Sequence, residues 1–156
     1  MRELVGAVIE DPRWSGIEGV AERAARAALA AAGRDPDRHE IGLLACDDAR
    51  MAALNAEFRG KPQPTNVLSW PAFAGPAPEP GAEPVFLGDL ALGYETCAAE
   101  AAAGGISLDD HAAHLVVHGV LHLLGHHHGD DAEAASMEGM ESNILASMGV
   151  ANPYSR

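Results

Sequence analysis

Residues 107–128 read SLDDHAAHLVVHGVLHLLGHHH, and five of the chain's eight histidines fall in the last eleven of them. The stretch predicts one helix. Ser107 is the capping residue, Asp109 and Asp110 stand in the first turn where the helix dipole favours anions, and Gly125 ends the helix after Leu124. His118 and His122 are one i,i+4 step apart, so they share a face at about 6 Å along the helix axis. Two imidazoles placed in this way can reach a single ion, and a chain that reverses at Gly125 brings a further ligand from the loop behind it.

The spacing His118-x3-His122-x2-Gly125-x2-His128 equals that of the metzincin zinc sites, which makes His128 the third ligand of the pattern. On chemistry alone His126 and His127 compete with it. Three neutral nitrogens with a vacant fourth position suit a catalytic zinc ion, and nickel or another divalent ion binds the same donors. Gly119 stands where the HExxH pattern has its general-base glutamate, which weighs against a metallopeptidase. His114 is four residues before His118 on the same face, a candidate for supporting a ligand or facing substrate. His111 reads more simply as a surface helix histidine. Met137 and Met140 follow at loosely Met-turn distance, but read as core filler.

Outward from this helix the chain alternates strands and helices. Strands are expected at Glu3–Glu10, Ile41–Cys46, Val67–Trp70 and Val85–Leu92. Further helices are expected from Ser15 or Gly16 to Ala32, and over Ala49–Phe58, Thr96–Ala103 and Ala132–Ser147. Pro71–Pro84 is Pro-, Ala- and Gly-rich without periodicity and reads as an exposed connection. Gly88–Asp89 inside a strand signals a bulge or a close backbone approach. The class is α+β, with a small sheet covered by helices. The 156 residues form one domain, long enough to bury about two-thirds of their surface.

Composition narrows the function. Hydrophobic residues make up 47% of the chain, which excludes collagen-like and disordered classes, and two distant cysteines exclude a disulfide scaffold. No apolar run approaches the roughly 18 residues needed to cross a bilayer, and Met1–Glu10 lacks a signal-peptide pattern. A reducing cytoplasm is the expected compartment. The 23 acids and 10 bases are unevenly placed: residues 62–156 carry Arg156 as their one base. A polyanionic partner must therefore be met by the N-terminal half or through bound cations.

Upstream of the histidine segment the first bases met are Lys61 and Arg59, in LNAEFRGKPQPTNVLSWP at Leu54–Pro71. A guanidinium fork matches phosphate geometry, so Arg59 is a candidate phosphate ligand. Asn55 and Glu57 read as helix-surface residues, and Asn66 and Ser69 as polar strand-edge or turn residues. Asp89 is either a carboxylate orienting a ligand histidine or a hydrogen-bonded turn acid.

Three blocks together resemble the YbeY family of rRNA maturation factors. LNAEFRGKPQPTNVLSWP is similar to the family's LNxxfRgkdxpTDVLSFP, FLGDLALG at Phe86–Gly93 to its LGDIxI, and HGVLHLLGHHH at His118–His128 to its HGxLHLxGyDH. Asn66 stands for the usual Asp, Trp70 for Phe, and His126–His127 for Tyr-Asp; every histidine ligand is kept. The resemblance implies a small mixed sheet of about four strands packed with several helices, with a zincin-like histidine helix, and a zinc ion on His118, His122 and His128 with Arg59 as a functional basic residue. His114, from its place on the helix face, is a further catalytic candidate for proton transfer, beside the substrate's 2′-OH and a second water. The resemblance also implies a single-strand-specific endoribonuclease in ribosomal RNA processing, at the 3′ end of the small-subunit species, and in ribosome quality control. The expected partners are ribosomal RNA and ribosome-associated proteins, without DNA or membrane. The rival readings are a zinc hydrolase of peptides or small amides and a non-catalytic, metal-stabilised assembly factor.

Overall fold

A computed structural model describes residues 3–126 and 129–154. Four strands, β1 (Val5–Ile9), β2 (His39–Cys46), β3 (Val67–Pro71) and β4 (Val85–Gly93), form one mixed sheet in the order β1-β2-β4-β3. β1, β2 and β4 run parallel, and β3 pairs antiparallel with β4 at the edge. Five helices accompany them among the described residues: α1 (Ile17–Ala31), α2 (Asp48–Arg59), α3 (Tyr94–Gly104), α4 (Leu108–Leu123) and α5 (Asp131–Ser147). This is the expected α+β class with a four-stranded sheet, and no element end moves by more than two residues.

Local chemistry explains the helix starts. Asp47, Ser107 and Asp130 each accept the backbone N–H three residues on, at 2.8, 3.1 and 2.7 Å, satisfying donors that a helix leaves open. α1 and α4 cover one face of the sheet and pack on each other. Their alanine- and leucine-rich faces meet Leu43, Leu90 and Leu92 in the main core, where Met137 of α5 is also buried. α4 is buried along most of its length and sits at the centre. α2 lies on the opposite face over Cys46, Leu68 and Ala91, with Met51 as its inward anchor.

β4 contains the irregularity signalled by Gly88. Glu40 pairs with Phe86 but Ile41 pairs with Gly88, so the strand carries one extra residue. Gly88 has φ +136°, and a Cβ there would overlap the Trp70 carbonyl oxygen. Bulge and close approach are therefore both present. The extra residue also reverses the side-chain alternation. Leu87 and Leu90 both face α4, and Asp89 is turned to the other face, where its carboxylate lies over Gly42. Asp89 thus supports neither His118 nor His122, and it stands in a strand rather than a turn.

Two further expectations change. Asn55 is buried, because Gly60 turns the chain back in a left-handed conformation and the Asn55 Nδ2 donates to the Gln63 carbonyl at 2.9 Å. The connection after β3 is largely exposed, yet Ala77 is buried and Arg34 donates to the carbonyls of Ala77 and Pro78. This loop sets Pro76 against the Gly125 turn, 3.4 Å from where a Cβ on Gly125 would stand.

Candidate metal centre

α4 ends at the mouth of a cleft of about 680 Å³. Its walls are His118, Gly119 and His122 from α4, residues 66–70 from β3 and its approach, and Phe58 and Arg59 from the end of α2. Phe58 and Trp70 meet edge to face, with ring centroids 5.5 Å apart, at the β3 edge. Arg59 comes from the far side of the sheet and reaches the cleft around that edge. Among the described residues it makes no ion pair, and it is the one guanidinium lining the cleft.

The two helix histidines converge as their spacing predicts. His118 Nε2 and His122 Nε2 are 3.0 Å apart. A tetrahedral zinc ion holds two such nitrogens about 3.3 Å from each other, so the rings need open by only a few tenths of an ångström. His118 Nδ1 is 2.6 Å from Glu141 Oε1. A carboxylate there accepts the Nδ1 proton and leaves Nε2 with its lone pair towards the cleft, as a ligand requires. The donor set fits a divalent metal. His128 and His127 lie outside the described residues, and among those described no cluster of three metal-holding side chains occurs.

Glu141 was missed by sequence reasoning. It lies 23 residues beyond His118, on α5, and is 1% exposed. The available signal was position: Met137, Glu141, Ile144 and Leu145 form the buried stripe of that helix, a place where a lone carboxylate needs a partner. Burial pushes its carboxyl up, but the neighbouring His114, His118 and Tyr154 outweigh that and hold it at about 2. Tyr154 donates from its hydroxyl to Glu141 Oε2 at 2.7 Å.

His114 shares the face of His118, as expected, but does not line the cleft. Its Nε2 is 3.2 Å from the Tyr154 hydroxyl and 3.7 Å from Glu141 Oε1. His111 is paired with Glu100 at 2.8 Å, and the same Glu100 oxygen accepts from Asn66 Nδ2 at 3.0 Å. An amide at position 66 donates to this carboxylate, where an ionised aspartate would be repelled. Met137 is core.

No carboxylate lines the cleft among the described residues, and a Cβ on Gly119 would press on Leu90. A glutamate at position 119, where a zinc peptidase carries its general base, has no room here. Cys46 and Cys97 are no substitute nucleophiles, since burial pushes both thiols up to about 12.

The solution structure of a Thermotoga maritima protein, TM1509, has a similar fold: TM-score 0.60 at 16% identity, over 97% of this chain and 95% of that one. Sequence similarity is closer. A protein of Ruegeria pomeroyi named Endoribonuclease YbeY is 51% identical over 94% of either chain. A protein of Jannaschia sp. with the same name is 50% identical over 96% of this chain and 99% of its own length. The family model described as Endoribonuclease YbeY matches residues 12–149. The chain belongs to the endoribonuclease YbeY family.

Proposed function

We propose that this chain is a zinc-dependent endoribonuclease that cleaves single-stranded ribosomal RNA and matures the 3′ end of the small-subunit species. The observation that carries the reading is the convergence of the His118 and His122 Nε2 atoms at 3.0 Å, in a cleft that Arg59 also lines. His118, His122 and His128 hold the ion. When bound, zinc supplies an acidified water and a Lewis-acidic partner for a phosphate oxygen.

The protein's own groups do the rest. Glu141 keeps the His118 ring oriented. Arg59 binds the scissile phosphate by its fork and stabilises the negative charge that grows on its oxygens. Phe58, exposed at the rim, and the half-buried Trp70 that it meets offer faces on which unpaired bases stack. His114 acts from behind Glu141 rather than from the cleft. No described helix is long and apolar enough to cross a membrane, in keeping with action on ribosomes in the cytoplasm. Ribosome-associated proteins deliver the substrate that an acidic surface attracts poorly.

Metal analysis of wild type and His122→Ala, combined with cleavage of ribosome-bound precursor RNA by each, tests the reading. One zinc per chain and cleavage in wild type, both lost in the variant, is the expected result. Cleavage that survives loss of the metal overturns it.

A further inference from the structure

Tyr154 lies beyond α5, far from the cleft in sequence, and nothing about the family assignment requires it. Its hydroxyl is nevertheless the last link in a directional chain. An ionised Glu141 only accepts hydrogen bonds, so Tyr154 must donate to Oε2, at 2.7 Å. The hydroxyl's lone pairs then face His114 Nε2 at 3.2 Å, which makes that nitrogen the donor. His114 Nδ1 is buried without a partner among the described residues, as befits the bare nitrogen of a ring whose proton is on Nε2. With Oε2 occupied, Oε1 is left to take the Nδ1 proton of His118 at 2.6 Å. Every polar atom in the row from His114 to His118 then has one consistent role.

We propose that Tyr154 is a positioning residue for the metal ligand His118, acting through Glu141. Glu141 is 1% exposed, so no bulk water substitutes for the tyrosine on Oε2. Without that donor the carboxylate can rotate, sharing one oxygen with His114 and losing alignment on His118. The ring of Tyr154 also packs edge to face on His114, with centroids 5.6 Å apart, which holds the hydroxyl in place. This inference rests on His118 being a metal ligand.

The test uses the full chain, Co(II) as the probe, and the variants Tyr154→Phe, Glu141→Gln and their double. Phenylalanine keeps the ring and its packing, so thermal stability without metal should change little. Co(II) affinity should fall about tenfold in Tyr154→Phe and 10- to 100-fold in Glu141→Gln, the range for partners that orient ligand histidines. The double variant should bind no more weakly than Glu141→Gln alone, because the tyrosine acts through the glutamate. Nitrogen-15 spectra of the metal-free protein should show His118 with its proton on Nδ1 in wild type and a tautomer mixture in Tyr154→Phe. Unchanged Co(II) affinity and an unchanged His118 tautomer in Tyr154→Phe would overturn the proposal, as would independent, additive losses in the double variant. A wild type that binds no Co(II), with the His118 tautomer still shifted by Tyr154→Phe, would instead refute the metal reading and leave the positioning role supported.

Discussion

Leu90 Cδ2 stands 2.6 Å from the point a Cβ on Gly119 would occupy. The buried leucine of β4 and the glycine of α4 are therefore a matched pair: the helix lies close to the sheet because one residue has no side chain. That closeness also determines the chemistry, since this is the position at which a zinc peptidase carries its glutamate.

Gly119→Ala should lower stability even though alanine is the better helix former by about 1 kcal/mol. Overpacking a filled site costs about 1–3 kcal/mol, and Leu90 is almost wholly buried and has to shift to admit the methyl. Urea unfolding measures the difference. Leu90→Ala in the same chain should make the two losses less than additive, whereas strict additivity would show that the two residues do not compete for one space.

Gly88→Ala should be worse, by at least about 2 kcal/mol. Its φ of +136° disfavours any L side chain, and the added carbon overlaps the backbone of β3 rather than a movable side-chain end. The same unfolding curves, compared with those of Gly119→Ala, give the ranking.

The contrast between these two glycines bears on what a sequence can reveal. Helix order, caps and the His118–His122 pair depend on local spacing, so the residues announce them. The facing of Asp89 does not, because one extra residue at Gly88 reverses the alternation, and only the register with β2 reveals it. Asn55 was misread as a surface residue because its partner, the Gln63 carbonyl, comes from a turn beyond the helix. Glu141 and Tyr154 were missed for a related reason. Their role depends on how α5 and the segment after it lie against α4, a tertiary relation with no mark in local periodicity.

Acid should loosen the junction between α1 and the first strand. Glu22 accepts from the backbone N–H groups of Leu4 and Val5 and from Arg26. Burial pushes its carboxyl up, but these donors prevail and hold it below its ordinary value of 4.5. A depressed carboxyl stabilises the fold fully above its unfolded value and loses that contribution as pH falls through the folded one. Stability should therefore decline below about pH 4.5, and Glu22→Gln should flatten that part of the profile while being less stable at pH 7. Identical slopes in the two proteins between pH 5 and 3 would exclude Glu22 as a contributor.

Arg59→Ala should separate folding from catalysis. The side chain is exposed and makes no ion pair among the described residues, so the unfolding free energy should change by less than about 0.5 kcal/mol. Loss of one preorganised charge at the phosphate should lower the cleavage rate by about 100- to 1,000-fold. Arg59→Lys keeps the charge without the fork and should recover only part of it. An assembly factor with a purely structural metal would give the opposite pattern, with ribosome maturation indifferent to Arg59.

Binding to bare RNA should be weak and only mildly salt-dependent. The net charge of −13 opposes a polyanion, and the residues after Lys61 carry a single base, Arg156, against 12 acids. If Arg59 and Lys61 are the cations that meet the strand, two phosphates are neutralised and the logarithm of affinity falls with the logarithm of salt at a slope of about −1.4. Titration of a labelled single-stranded RNA between 50 and 200 mM salt should give that shallow slope and a dissociation constant above the micromolar range. A slope of −5 or steeper would reveal a basic track that the sequence does not contain, supplied by bound divalent ions. Addition of ribosomes to the same assay should then raise cleavage without raising affinity for the free strand, because positioning by a partner substitutes for charge that this surface lacks.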